Sequence, residues 1–345
     1  MKTKWVVLVV VFLLCALTVD AQLNKDIKSI LDSAMVNAKR FSVNTQGINW
    51  DSVQSQMYSR AEGIKDPAGL GDAFGYLIAF LNDHQAKLIH KADNKIIAQH
   101  VDYHDAELPG TNLNAIESVF KFEVLENNVR YIRIPSYDNK ADLIKEASVL
   151  RAAIDTLSKS DSSKWIVDLR GVRGDDFRIH MAGLGPLLGE GLITSVIDKN
   201  ERIEKMYEIH NGRFYEEQHL AAHFVCPADL SKSNVAVLID ETTAGAGEVL
   251  ALAFRGRKLT KLFGSQTHGN VGVVKEIDLG GQLALSLTSR YYQDRRGNIY
   301  KDVVFPHTKV QQPTGVSEDA VIAAAMQWLV VPAGNAVTAS ILKKD

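Results

Sequence analysis

The chain has 345 residues, 46% of them apolar, and its 39 Lys+Arg against 41 Asp+Glu leave a formal net charge of -2. That length allows one large or two small folded units, and the balanced charge argues against a nucleic-acid partner, which needs a basic stripe. With only Cys15 and Cys226 in the sequence, removal of an N-terminal leader would leave one cysteine and no intrachain disulfide.

Met1 to Ala21 carries two lysines, an apolar run from Trp5 to Val19, and Val19-x-Ala21 ahead of Gln22. This is the pattern of a cleaved secretory signal peptide. The alternative, a membrane anchor, needs roughly 18–20 apolar residues, more than this run supplies. A lipoprotein reading of Cys15 is opposed by bulky Leu14 before it. An exported protein is expected, periplasmic or secreted, of the cysteine-poor kind that suits a bacterial envelope. Cys226 in Phe224-Val-Cys226-Pro227 reads as a loop or strand-edge residue rather than a nucleophile.

From Leu23 to Phe41 the apolar residues Ile27, Ile30, Leu31, Ala34, Ala38 and Phe41 fall at helical spacing. Trp50, Val53 and Met57 suggest a second helix, and Leu70, Phe74, Leu77, Ile78 and Leu81 a third within Pro67 to Leu81. A small helical N-terminal unit is predicted. Ala86 to His90 fits a strand, and polar Ala92 to Asn114, with Pro109-Gly110, reads as loop with room for one strand. Phe120 to Val124 and Val129 to Ile134 alternate about Asn127-Asn128, the mark of a hairpin.

Leu143, Ile144, Ala147, Leu150, Ile154 and Leu157 then share one helical face, and Trp165 to Leu169 is a buried strand. Strand, helix and strand make a βαβ unit that ends in the turn Arg170-Gly-Val-Arg-Gly174. Leu262 to Gly264, Val271 to Ile277 and Leu283 to Leu287 add strands, and Ser317 reads as the N-cap of a helix over Ala320 to Leu329. The expected organisation is a signal peptide (1–21), a helical region and linker (22–118), an α/β core (119–312), a C-terminal helix (313–335) and a tail (336–345).

Val235 to Glu248 stands out. Ala236 to Ile239 reads as a buried strand, Asp240 to Ala244 as a polar turn, and Glu248 to Phe254 as a helix. A helix start offers free N–H groups to whatever occupies the turn before it. With a hydroxyl there, the turn would be a nucleophile elbow beside an oxyanion hole. Its centre is Gly245.

Five motifs come in order: Val129-Arg-Tyr-Ile-Arg-Ile-Pro-Ser136, Asp168-Leu-Arg-Gly171 with Gly174, Asp240…Thr243-Ala-Gly-Ala-Gly-Glu248, Gly264…Thr267-His-Gly269, and Tyr300…Pro306. Together they resemble the tail-specific (C-terminal-processing) serine peptidases, in the branch of the tricorn core and the interphotoreceptor retinoid-binding protein. The resemblance covers about Phe120 to Val310, with a weaker Leu81-Asn-Asp83 upstream. It implies an α/β core of the ClpP/crotonase-like type. Only 42 residues separate Leu88 from Tyr131, too few for the PDZ domain that members often carry.

Carried over position by position, the family's nucleophilic serine falls on Gly245, which has no Oγ to attack a carbonyl. The general-base lysine of the dyad branch falls on Asn270, and the histidine of the tricorn-like branch on Gln85. The supporting glutamate falls at about Lys301. The backbone of Gly245 and Ala246, with Gly171 and Gly174, could still form a nest for a peptide carbonyl or carboxylate. Asp175 stands where a further glycine is usual.

Fallback chemistry would use His84, next to Gln85, or a pair drawn from Thr242, Thr243, Ser265 and His268. Against these stand ordinary roles, capping for the histidine and local backbone bonding for the hydroxyls. Asp168 and Arg170 read as positioning the turn. No metal is expected at Asp175, Asp176, Asp240 and Glu241, and no cofactor. Arg290 to Arg296 reads either as a ligand grip or as an exposed hairpin of mixed charge. Two functions remain open on the residues, and a third, small apolar ligand binding, is suggested only by the name of the retinoid-binding relatives. One is a non-catalytic relative that binds extended peptide or protein C-termini, with a second copy or an active relative as further partners. The other is a working serine-type endopeptidase with a rearranged nucleophile.

Overall fold

The computed structural model describes residues 23–100, 120–136, 141–159, 163–174, 176–223, 230–312 and 317–331. The expected signal peptide, the Pro109-Gly110 loop, Asp175, Cys226 and the tail lie outside these residues. The chain forms two compact units: one comprises residues up to Tyr103 together with Val274–Thr288, the other the remainder.

In the first unit, helices α1 (Lys25–Phe41), α2 (Trp50–Arg60) and α3 (Gly71–Leu81) precede the antiparallel hairpin β1 (Lys87–His90) and β2 (Lys95–Gln99). Asn24 and Asn49 cap α1 and α2 by accepting backbone N–H groups of the first turn. Ile27, Leu31, Met57, Phe74 and Leu77 bury completely or nearly so against Leu283, Leu285 and Leu287. Those leucines belong to β13 (Leu283–Asp294), whose Leu283–Ser286 pairs antiparallel with β1. The three helices and the strands expected at Ala86–His90 and Leu283–Leu287 are all present. Their pairing joins segments almost 200 residues apart, beyond the reach of local periodicity. Asp83 fixes this connection, accepting 2.8 Å from the Thr288 N–H and 2.7 Å from its hydroxyl.

The second unit holds a six-stranded sheet in the order β15-β11-β10-β5-β4-β3. In chain order these are β3 (Lys121–Val124), β4 (Arg130–Arg133), β5 (Lys164–Asp168), β10 (Asn234–Ile239), β11 (Thr260–Gly264) and β15 (Thr308–Lys309). All neighbours pair parallel except the edge hairpin β3–β4. Alternation assigns the faces. Val235, Val237 and Ile239 pack with α4 (Leu143–Leu157) and α7 (Ala246–Phe254), whereas Ala236 and Leu238 pack with α8 (Ala320–Val330).

Helix α8 begins after Asp319, whose carboxylate accepts the N–H groups of Val321 and Ile322, so Asp319 rather than Ser317 is the cap. Helix α7 begins at Ala246, two residues before the expected start, because Gly245 turns the chain into it. Between β5 and β10, short helices α5 (Arg178–Gly183) and α6 (Gly185–Leu188) lead into an antiparallel meander. It comprises β6 (Gly191–Ile197), β7 (Ile203–His210), β8 (Arg213–Glu216) and β9 (His219–His223). None of these was assigned from sequence, although Tyr207 and Ile209 bury in alternation with more exposed neighbours. Strands β12 (Val273–Gly280) and β14 (Ile299–Tyr300) both pair with β13. No helix among the described residues is long and apolar enough to cross a membrane.

Candidate active site

The turn between β10 and α7 is wound around one carboxylate. Asp240 Oδ1 accepts the Thr242 N–H at 3.0 Å, the Thr242 hydroxyl at 2.7 Å and the Thr243 N–H at 3.0 Å. A short acid at the start of such a turn substitutes for backbone partners the loop lacks. The turn then docks on the segment following β5: Ala244 N–H donates to Val172 O at 2.9 Å, and Ala246 N–H to Gly174 O at 2.7 Å.

Gly245 has φ 53° and ψ -110°. That backbone is the sharp, left-handed strand-to-helix turn of a nucleophile elbow. A side chain has no room there, because a Cβ on Gly245 would lie 2.4 Å from Gly174 O. That same oxygen holds the Ala246 N–H, the donor that follows a nucleophile and in an acyl-transfer site faces the oxyanion. The four residues expected to form a nest are thus brought to one neighbourhood, since the Gly171 N–H also reaches the turn, 3.4 Å from Asp240 Oδ1. In the conformation described, however, the Ala246 donor is filled from within the chain.

Glu248 anchors the other side. Its side chain is fully buried, and its two oxygens accept the Thr267 hydroxyl at 2.5 Å and the N–H groups of Gly269, Asn270 and Gly245 at 2.8, 2.7 and 3.0 Å. Thr267 in turn accepts the Val304 N–H at 2.8 Å. Burial pushes the Glu248 carboxyl above its ordinary range, outweighing the four donors that pull it down. Asn270, at the family's lysine position, thereby serves through its backbone.

The fallback residues fall as follows. Thr243 is fully buried, and its hydroxyl lies 3.1 Å from both Leu169 O and Asp240 Oδ1 while accepting the Asp240 N–H. His268 meets Thr243 through its backbone, N–H to Thr243 O at 3.0 Å. Lys301 places its ammonium 5.6 Å from the centre of the Tyr291 ring, a cation–π contact. In the first unit, the His84 ring lies 4.2 Å from that of His100, and the Gln85 N–H donates to Asp83 Oδ1 at 3.1 Å.

At the end of β5, fully buried Asp168 accepts the Tyr131 hydroxyl at 2.8 Å and Arg170 Nη2 at 2.6 Å, and Arg170 Nη1 continues to Asp319 at 2.8 Å. Burial disfavours the Arg170 charge, but the two carboxylates outweigh it and raise its pKa. Beside these groups, at the carboxyl ends of the parallel strands, lies a cavity of about 730 Å³. Arg170, Asp240, Glu241, Ser265, Phe305 and Lys309 are among its lining residues. Crevices at this end of an open α/β sheet are where ligands bind.

This strand–turn–helix arrangement agrees with the sequence comparison. The profile of peptidase family S41 matches residues 128–310. The chain belongs to peptidase family S41. The nisin-resistance protein of Lactococcus lactis subsp. lactis is 31% identical over 198 residues, covering 57% of this chain and 60% of that protein. The chain spans 60% or less of the curated relatives it matches. Among solved structures, the photosystem II D1 C-terminal processing protease superposes with a TM-score of 0.58 at 15% identity, over 84% of this chain and 94% of that one. A lipoprotein from Streptococcus agalactiae gives 0.57 at 16% identity, over 88% and 95%. These structures share the fold of the S41 chain.

Glu248 closes the Asp240–Glu248 motif, but its role as the hub of the turn does not follow from the motif alone. The signal was a glutamate three residues after the N-cap, the spacing of a capping box. The part played by Gly174 had no such signal, since it arises from a carbonyl group that any residue carries.

Proposed function

We propose that this S41 family member is exported and does not cleave peptides, but holds an extended peptide or protein C-terminus through its retained scaffold. One observation carries the reading: where a nucleophile would stand there is Gly245, and Gly174 O occupies the space of its side chain while binding the Ala246 N–H. Loss of the attacking atom alone removes nucleophilic catalysis. A filled oxyanion donor removes a second contribution to acyl transfer. Thr243 offers no ready substitute, because its hydroxyl is buried and engaged with Asp240 and Leu169. The cavity at the strand ends supports a binding role, with Lys309 on its lining as a partner for a carboxylate. The Met1–Ala21 pattern supports export.

The test incubates the purified protein with an unstructured protein and reads products by mass spectrometry, beside labelling with a fluorophosphonate probe. Neither cleavage nor labelling is expected from wild type. Fluorescence anisotropy should report binding of a labelled unstructured peptide, weakened when its C-terminus is amidated. A Gly245→Ser, Gln85→His, Lys301→Glu variant should also remain inactive, because the new Cβ meets a backbone oxygen. Cleavage by wild type that disappears in Thr243→Val or His268→Ala would overturn the proposal and reveal a relocated nucleophile.

A further inference from the structure

Strand β3 is the outer edge of the six-stranded sheet, paired among the described residues only with β4. It shows no register shift against β4 and contains no proline, two of the devices that discourage edge pairing. Phe122 and Val124 are 46% and 54% exposed, unusual for an aromatic and a β-branched side chain side by side on one strand face. Lys121 and Glu123, on the opposite face, lie 3.0 Å apart in an exposed ion pair.

The ladder fixes which peptide groups are open. Leu125 N–H donates to Val129 O at 2.8 Å, toward β4. In an antiparallel pair this direction alternates, so Lys121 and Glu123 also turn toward β4. The N–H and C=O groups of Phe120, Phe122 and Val124 therefore face outward.

We propose that a second copy of this chain pairs with this edge, β3 against β3 antiparallel, about a two-fold axis at Phe122. In that register Phe120 lies opposite Val124 of the second copy and Phe122 opposite its equivalent. Every outward N–H and C=O of the three residues then finds a partner. Lys121 faces Glu123 twice, once on each side of the axis. The outward groups also permit axes at Lys121 or Glu123, but these set lysine against lysine or glutamate against glutamate. Opposite charges across a strand pair stabilise it and like charges destabilise it. The charges therefore select Phe122. The apolar residues follow onto one face, where Phe122 and Val124 lose their exposure, as a self-complementary two-fold interface requires.

The test uses the full chain in a Cys15→Ser, Cys226→Ser background, with Phe122→Cys, Lys121→Cys and Glu123→Cys compared under mild oxidation. Residues facing each other in a hydrogen-bonded antiparallel pair have Cα atoms about 5.5 Å apart, within disulfide reach. Phe122→Cys should cross-link to a dimer, whereas the other two, offset from their own equivalents, should not. Sedimentation should show wild type as a dimer. Lys121→Glu should weaken dimerisation roughly tenfold through two like-charge contacts, and Lys121→Glu with Glu123→Lys should restore it. Rescue by the double exchange distinguishes pairing from damage to the strand. A chain that remains monomeric, cross-linking through position 121 or 123 instead of 122, or an edge that takes only an added extended peptide would each overturn the proposal.

Discussion

Two buried carboxylates in the second unit, one closing β5 and the other at the start of α7 after β10, are held in opposite ways. Asp168 is held by charge, with Arg170 bonded to it and reaching on to Asp319 at the start of α8. Glu248 has four neutral donors and no cation among its hydrogen-bond partners. The first arrangement ties β5 and α8 together. The second draws the Thr267–Asn270 loop onto the glycine turn. The sheet is thus secured by ionic pairing and the elbow by neutral hydrogen bonds. The elbow should accordingly respond to pH and to small changes of shape, whereas the β5 end should respond to removal of a charge.

Arg170→Met gives the largest expected effect. It leaves Asp168 buried without its cation, and breaking a buried pair in this way costs about 3–5 kcal/mol. Urea unfolding should show the loss as a lower midpoint. A loss below about 1 kcal/mol would mean that Tyr131 alone satisfies Asp168, and the contrast with Glu248 would disappear. Gly245→Ser comes next, because it places a side chain at positive φ and against Gly174 O. A strained backbone and an overpacked contact each cost about 1–3 kcal/mol, so a loss of about 3 kcal/mol is expected. Unchanged stability would show that the Val172–Gly174 segment moves aside freely.

Glu248→Gln should lose less, about 1–3 kcal/mol, by setting an amide NH₂ against donors that need an acceptor. It also tests the pH dependence. The folded-state pKa of Glu248 is raised from 4.5 by burial, so the folded protein retains a proton that the unfolded chain has released just above that pH. This group's contribution to stability therefore falls as pH rises through that window. Urea midpoints measured across mildly acidic pH should show the slope in wild type and not in Glu248→Gln.

Much of this was legible in the sequence where pattern and packing are local. The buried faces of α1 and α3, the hairpin about Asn127-Asn128, and the strand and helix around Gly245 follow from spacing and turn chemistry. The order of the five motifs carried the family. What was not legible comes from partners distant in the chain. The pairing of β13 with β1, the Arg170–Asp319 pair and the bond from the Ala246 N–H to Gly174 O all join residues whose contact no local pattern records. Serine and aspartate are both good caps, so local sequence does not separate Ser317 from Asp319; the α8 cap is decided by which one reaches Val321 and Ile322.

Asp319→Asn should give the smallest effect and the sharpest test of the comparison. Asparagine caps a helix about as well as aspartate, so the α8 start is retained while the charge facing Arg170 is lost. The pair is partly exposed, and a loss of about 0.5–1 kcal/mol is expected. Asp319→Ala, which removes the cap as well, should cost about 1 kcal/mol more. The pH signature separates this acid from Glu248. Burial raises the Asp319 pKa, but the Ile322 N–H and Arg170 outweigh it and hold the carboxyl below 3.8. Its contribution is present above 3.8 and lost as pH falls through the lower, folded-state value. The two acids should therefore pull in opposite directions: on acidification Glu248 adds stability before Asp319 gives its own up. A difference titration of Asp319→Asn and Glu248→Gln against wild type should show slopes of opposite sign. Slopes of the same sign would mean that the elbow is held by charge after all.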